Sequence, residues 1–121
     1  MIRPIRSRWF HVDQADGITV VTFTQPQIVE LEAIEEVGEQ LYKLIEYYAS
    51  SRIVLNLGSV HQVSSLLIGK LLGLNERVKA AGGRLVFCRV TPEVHQLFKV
   101  VNLLRLFNMY DTENEALQSF S

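Results

Sequence analysis

The sequence predicts an α/β fold in which a mixed sheet of four to five strands is packed with about four helices. Segments rich in β-branched and aromatic residues alternate with segments whose apolar residues recur every three or four positions, which is typical of strands joined by helices. Two short apolar runs, residues 53–57 and Arg84–Cys88, are predicted as inner strands because strands covered on both faces are apolar throughout. The length of 121 residues fits one domain spanning residues 1–121.

The first predicted element is an antiparallel β-hairpin. Residues 8–14 and Ile18–Phe23 are rich in β-branched and aromatic side chains, and Ala15, Asp16 and Gly17 separate them. The pair Asp-Gly favours a tight hairpin turn because both residues tolerate a positive φ. We therefore expect the two segments to pair.

From residue 28 onward the apolar period changes to that of a long amphipathic helix. Glutamates occupy its other face and concentrate in the N-terminal half, where the helix dipole favours negative charge. Gly38 lies inside this helix and costs it about 1 kcal/mol. The predicted apolar face consists of Leu31, Ile34, Val37, Leu41, Leu44, Ile45 and Tyr48.

The second half of the chain carries clear signals for helix ends. Residues 58–63 are predicted as a loop, and a helix that starts at two serines stops at Gly82, a C-cap signal. Thr91 and Pro92 predict the start of a third helix, with Asn102 as its left-handed end. Residues 106–109 are expected to form a short strand. A terminal helix follows, because Thr112 and Glu115 have the spacing of a capping box.

Composition and motif content argue against several function classes. The 12 basic and 13 acidic residues give a net charge of −1, without the basic excess of a nucleic-acid binder or the polybasic segment of a membrane anchor. No apolar run approaches the length of a membrane span. His11, His61 and His95 lack metal-ligand spacing, and no phosphate-binding glycine loop is present. Cys88 is the only cysteine, so it has no disulfide partner in the chain and is expected to pack in the core. We expect a cytoplasmic, non-enzymatic protein without metal or cofactor.

Two adjacent serines follow the predicted strand at residues 53–57 and its loop, at the start of the next helix. This is the sheet edge where α/β folds often place function. Ser64 is predicted as the N-cap, its hydroxyl accepting from the amide of Leu66 or Leu67. Ser65 is then the first helical residue. The helix would tolerate a phosphate on this residue, next to its free amides and positive dipole end, and the phosphate would add about −1.5 to −2 charges. Ordinary helix capping also explains both serines, and the residues alone favour that simpler interpretation.

The helix that follows has two distinct faces. Its predicted core stripe consists of Leu67, Leu71, Leu74, Val78 and Ala81. Leu66, Gly69 and Gly73 lie on nearly the opposite side and form a shallow strip that another backbone can approach closely. Either a partner protein or a neighbouring element of the same chain covers this strip. On the first alternative, the partner-binding residues are Ser65, Leu66, Gly69 and Gly73.

The segment LNLGSVHQVSSLLIGKLL, residues 55–72, resembles the signature of STAS domains, in particular the bacterial anti-sigma factor antagonists. That family shows a strand, a loop and then Asp-Ser-Ser-Gly-Leu-Gly at the start of a helix. Aligned without gaps, Ser64 takes the place of the Asp, Ser65 of the first Ser and Gly69 of the last Gly. The likeness continues through residues 80–86, 91–94, 97–98 and 115–117.

The resemblance implies a STAS-like fold and a phosphorylation-controlled switch in transcription regulation. In such antagonists an anti-sigma factor that is also a serine kinase phosphorylates the first serine of the motif. The unphosphorylated form binds that partner and frees the sigma factor. Carried onto this chain, the phosphoacceptor is Ser65, and the protein is a phosphoprotein whose oligomeric state, including a homodimer, stays open.

This sequence departs from the family pattern at several positions. Ser64 replaces the Asp, Leu66 and Leu67 replace the small second Ser and first Gly, and residues 24–27 replace an acidic Gly-Glu-Leu-Asp-like segment. A second role on the same fold is a constitutive adaptor subunit of a membrane-associated complex, such as a lipid transporter, with a docked partner and no phosphate. A small enzyme or nucleotide binder ranks below both because no site constellation supports it.

Overall fold

The computed structural model describes residues 7–48 and 51–121. Its elements alternate between strands and helices, as the sequence predicts. They are β1 (Phe10–Ala15), β2 (Ile18–Phe23), β3 (Gln27–Ile28), α1 (Leu31–Tyr48), β4 (Arg52–Asn56), β5 (Gln62–Val63), α2 (Ser65–Ala80), β6 (Arg84–Cys88), α3 (Pro92–Val100), β7 (Asn108–Tyr110) and α4 (Glu113–Gln118).

The main sheet has five strands in the order β1-β2-β4-β6-β7. β1 pairs antiparallel with β2, and the other neighbours pair in parallel. The predicted mixed sheet is confirmed, and so is the inner position of β4 and β6. In the hairpin turn, Asp16 and Gly17 have φ values of 53° and 80°, the backbone that an Asp-Gly turn requires.

A second, two-stranded sheet was not predicted from the sequence. β3 and β5 pair in parallel, with Gln27 opposite Gln62 and Ile28 opposite Val63. The carbonyl of Pro26, just before β3, also accepts a hydrogen bond from the amide of Gln62 at 3.0 Å. Strands of two residues are too short to show an alternating pattern. The prediction of residues 58–63 as a loop misses β5, and the prediction of a helix from residue 28 is wrong, because Ile28 lies in β3 and α1 begins at Leu31. The pairing places the starts of α1 and α2 side by side.

The main sheet separates two apolar cores. α1, α2 and α3 cover one face, where Val21, Leu55 and Phe87 are buried. α4 packs against the other face, where Ala116 meets a smaller cluster that includes Cys88. The prediction that Cys88 packs in the core is confirmed, because its side chain is fully buried.

Most predicted helix ends are confirmed. Gly82 and Asn102 follow α2 and α3 with φ values of 78° and 61°, the left-handed backbone of a C-terminal cap. The capping box of α4 is present, since the hydroxyl of Thr112 accepts from the amide of Glu115 at 3.1 Å. Thr91 lies at the N-cap of α3, but its side chain makes no capping hydrogen bond.

Three finer predictions were wrong. The last strand runs over Asn108–Tyr110 rather than residues 106–109, because the chain first makes a turn after α3. Ala81 is exposed because it already caps the end of α2. Leu31 is 57% exposed, since it lies in the first turn of α1, at the rim of the core. Tyr48 ends α1, but its predicted place on the apolar face concerns a side chain outside those that the structure describes.

Candidate functional site

Ser65 is the first residue of α2. The segment that leads to it begins at the carboxyl end of β4, at the carboxyl edge of the main sheet. The side chain of Ser65 is exposed. Within residues 7–48 and 51–121, no hydrogen bond of the Ser65 hydroxyl is found. The hydroxyl is therefore accessible to a modifying enzyme, next to the positive end of the helix dipole.

Ser64 holds the N-cap position, but not in the way the sequence predicts. Its backbone is extended, with φ −92° and ψ 162°, and its carbonyl accepts from the amide of Leu67 at 3.1 Å. The side chain makes no capping hydrogen bond. Its Oγ is buried and has no partner among the described residues. The predicted capping role of the hydroxyl was wrong, because Oγ is buried and accepts no hydrogen bond from the first-turn amides.

The predicted core stripe of α2 is confirmed at four of its positions, since Leu67, Leu71, Leu74 and Val78 are buried. On the outer side, Leu66 is 46% exposed. Gly69 faces open space: apart from its chain neighbours and its own helix backbone, no atom of the described residues lies within 4 Å of the position that a Cβ would take. Ser65, Leu66 and Gly69 therefore form one accessible surface at the start of α2.

Gly73 does not belong to that open surface. A Cβ at Gly73 would lie 2.5 Å from the hydroxyl oxygen of Tyr42 on α1. The expectation that the missing side chain of Gly73 leaves room for a partner was wrong, because α1 fills that space. The guanidinium of Arg77 stacks over the same Tyr42 ring, with its Cζ 4.5 Å from the ring centroid.

The loop that leads to the two serines is held by polar contacts that sequence reasoning did not identify. The buried hydroxyl of Thr91 donates to the carbonyl of Val60 at 2.6 Å. The side-chain oxygen of Asn56 accepts from the amide of Gly58 at 2.9 Å, and its amide donates to Glu113 at 3.0 Å. These bonds fix the path of the chain between β4 and α2. The only signal for these contacts in the sequence was a polar residue, Asn56, at the end of the apolar strand β4.

A contact between His61 and Glu93 joins the same loop to α3. Nδ1 of His61 lies 3.5 Å from a carboxylate oxygen of Glu93. The pKa of Glu93 is lowered, first by a hydrogen bond from its own backbone amide and further by His61. Both side chains are more than half exposed, so the pair adds little stability.

The described residues contain no group of three or more His, Cys, Asp or Glu side chains arranged to hold a metal ion. Burial raises the pKa of the Cys88 thiol to about 11, so the thiol is protonated and a poor nucleophile at neutral pH. None of the described helices combines the length and apolar character that a membrane span needs. What the site offers is an exposed hydroxyl beside an apolar surface.

Comparison with known proteins agrees with this architecture. The family model of the STAS domain matches residues 10–116. The anti-sigma F factor antagonist of Paenibacillus polymyxa is 31% identical over 78 residues, which cover 64% of this chain and 67% of that protein.

Solved structures show the same fold at low sequence identity. An anti-sigma factor antagonist from Mycobacterium paratuberculosis superposes with a TM-score of 0.79 at 17% identity, covering 91% of both chains. The anti-sigma factor antagonist SpoIIAA in its unphosphorylated form gives 0.77 at 20% identity, covering 92% of this chain and 95% of that one. Its phosphorylated form gives 0.70 at 19%, with coverages of 93% and 99%. The chain therefore belongs to the STAS domain family, and proteins named anti-sigma factor antagonists are among its relatives.

Proposed function

We propose that this chain is a non-enzymatic, cytoplasmic anti-sigma factor antagonist whose binding to an anti-sigma factor is ended by phosphorylation of Ser65. The observation that carries the proposal is the exposed hydroxyl of Ser65 at the first turn of α2, beside the open surface at Leu66 and Gly69. The names of the relatives support the class of partner.

A phosphate at this position acts on binding rather than on folding. It adds about −1.5 to −2 charges next to the free amides and positive dipole of a helix N-terminus, where anions are stabilised. The neighbouring contact surface is apolar, with Leu66 half-exposed. A partner packed over Leu66 and Gly69 would have to desolvate the phosphate, which costs binding energy. Modification therefore releases the partner while the helix stays intact.

The anti-sigma factor is also the proposed kinase. Ser65 lies inside the proposed contact surface, so a partner docked there brings its own active site close to the hydroxyl. Ser64 is one residue away, but its Oγ is buried. The two serines thus form a matched pair in which only Ser65 is open to phosphoryl transfer.

The test uses anti-sigma factors encoded in the same genome, each purified and mixed with this chain and Mg-ATP. Intact-mass analysis should show one added phosphate on the wild type and on Ser64→Ala, and none on Ser65→Ala. Calorimetry without nucleotide should show binding of all three, and the phosphorylated wild type should bind about ten-fold or more weakly. Phosphate on Ser64 would overturn the assignment of the site. Binding without any phosphorylation would favour a constitutive adaptor.

A further inference from the structure

α1 and α2 run side by side and meet along a seam marked by two glycines. A Cβ at Gly38 of α1 would lie 3.1 Å from the aliphatic chain of Lys70 on α2, and Gly73 of α2 receives the hydroxyl of Tyr42 from α1. Gly38 therefore faces α2, and Gly73 faces α1. The parallel pairing of Ile28 with Val63 places the N-terminal ends of both helices at the same end of this seam.

Two exposed leucines lie at that end. Leu31 precedes Gly38 by seven residues and Leu66 precedes Gly73 by seven, and a spacing of seven returns to nearly the same face of a helix. Leu31 and Leu66 thus occupy the neighbouring edges of α1 and α2, as the first residue of α1 and the second residue of α2. They are 57% and 46% exposed, which leaves two large apolar side chains in solvent next to Ser65.

The α1 side of this surface carries exposed carboxylates that form no direct ion pair, and Lys70 lines the same cleft between α1 and α2 as Glu35. Glu30, Glu32 and Glu35 are exposed, and in the part of the chain that the structure describes none of them forms an ion pair. Further along α1, by contrast, Glu36 pairs with Arg8 and Glu39 pairs with Lys43. These carboxylates favour a partner that brings positive charge to this contact, because covering them with apolar groups would remove their hydration without compensation.

From these positions, and resting on the proposed function, we infer that the docking surface crosses the seam from α2 onto the start of α1. Its occupant is an anti-sigma factor with an apolar pocket for Leu31 and Leu66 and with Lys or Arg side chains facing Glu32 and Glu35. Ser65 and Gly69 lie on the far side of Leu66, away from the glutamates. The charge attraction therefore acts at the α1 edge, and the phosphate acts at the apolar α2 edge.

The experiment measures binding of the anti-sigma factor by calorimetry and stopped-flow, with four variants of this chain. Leu31→Ala should weaken binding about ten-fold, mainly through faster dissociation. Glu35→Lys should slow association and reduce its dependence on salt. The matched controls are Leu106→Ala, at a leucine 46% exposed on the α3–β7 connection, and Glu46→Lys, near the other end of α1. Both controls should bind like the wild type.

The remaining outcomes distinguish this inference from the proposed function on which it rests. If the wild type binds and both Leu31→Ala and Glu35→Lys bind as tightly, the docking surface does not reach α1 and this inference is overturned while the proposed function stands. If no anti-sigma factor binds the wild type, both fall. Sedimentation velocity of the chain alone gives a further check, because loss of a homodimer in Leu31→Ala would show that a second copy covers the seam instead.

Discussion

The hydroxyl of Tyr42 lies directly over Gly73, 2.5 Å from the position that a Cβ would occupy. The contact is reciprocal along the α1–α2 seam, because the chain of Lys70 lies 3.1 Å from the corresponding position at Gly38. Each helix thus lacks a side chain where the other inserts a long one. This relation explains two glycines in helix interiors, where glycine is unfavourable by about 1 kcal/mol relative to alanine.

The first prediction is a coupling between Tyr42 and Gly73. In a Tyr42→Phe background the nearest ring atom lies at 3.8 Å from a Cβ at position 73, so Gly73→Ala should raise the free energy of unfolding by up to about 1 kcal/mol through helix propensity. In the wild type the same substitution should gain less or destabilise, because the hydroxyl has to move. Urea denaturation of the four proteins measures this coupling, and equal effects in both backgrounds would contradict it.

The second prediction uses Gly69, which unlike Gly73 faces open space. Gly69→Arg should weaken anti-sigma factor binding about ten-fold, because a long side chain holds the partner away from the surface. Its melting temperature should stay at or above that of the wild type. Ala80→Arg, at the exposed far end of α2, is the matched control and should bind normally. Tight binding by Gly69→Arg would place the partner elsewhere.

The third prediction compares two helix N-caps of the same chain. Thr112→Ala should lower the free energy of unfolding by about 0.5–2 kcal/mol, because it removes the hydroxyl that accepts from Glu115. Ser64→Ala should cost much less or stabilise slightly, since it removes a buried oxygen without a partner. Thermal and urea unfolding of both variants checks this order. A larger loss for Ser64→Ala would restore the capping role that the sequence predicted.

The fourth prediction concerns the buried thiol of Cys88. Burial raises its pKa from 9.0 to about 11. Between these two pH values the thiol keeps its proton in the native state and loses it in the unfolded state. The resulting stabilisation is complete below pH 9 and is lost as the pH rises toward about 11. A disulfide reagent at pH 8 should therefore label Cys88 only after urea unfolding. Above pH 9 the wild type should lose stability more steeply than Cys88→Ala. Rapid labelling of the native protein would show that the thiol is accessible.

The order of the elements could be predicted because each signal is local. The Asp16-Gly17 turn, the apolar run at β4 and the capping box of Thr112 each depend on a few consecutive residues. Ser65 was placed at the start of α2 by the same kind of signal. The pairing of β3 with β5 could not be predicted, because strands of two residues carry no periodicity and their contact joins segments about 35 residues apart.

The sequence by itself determined most of the core residues, the approximate ends of the helices and the hydroxyl at the start of α2, because periodicity and capping chemistry act within a turn or two of the chain. Only the tertiary structure decided what each outward-facing group meets. Gly69 and Gly73 look alike in the sequence, yet one faces solvent and the other receives Tyr42. Ser64 and Thr112 are both N-caps, yet only Thr112 uses its hydroxyl. These outcomes depend on how α1, α2 and the connecting loops pack together, and packing distances between remote segments are not encoded in any local pattern.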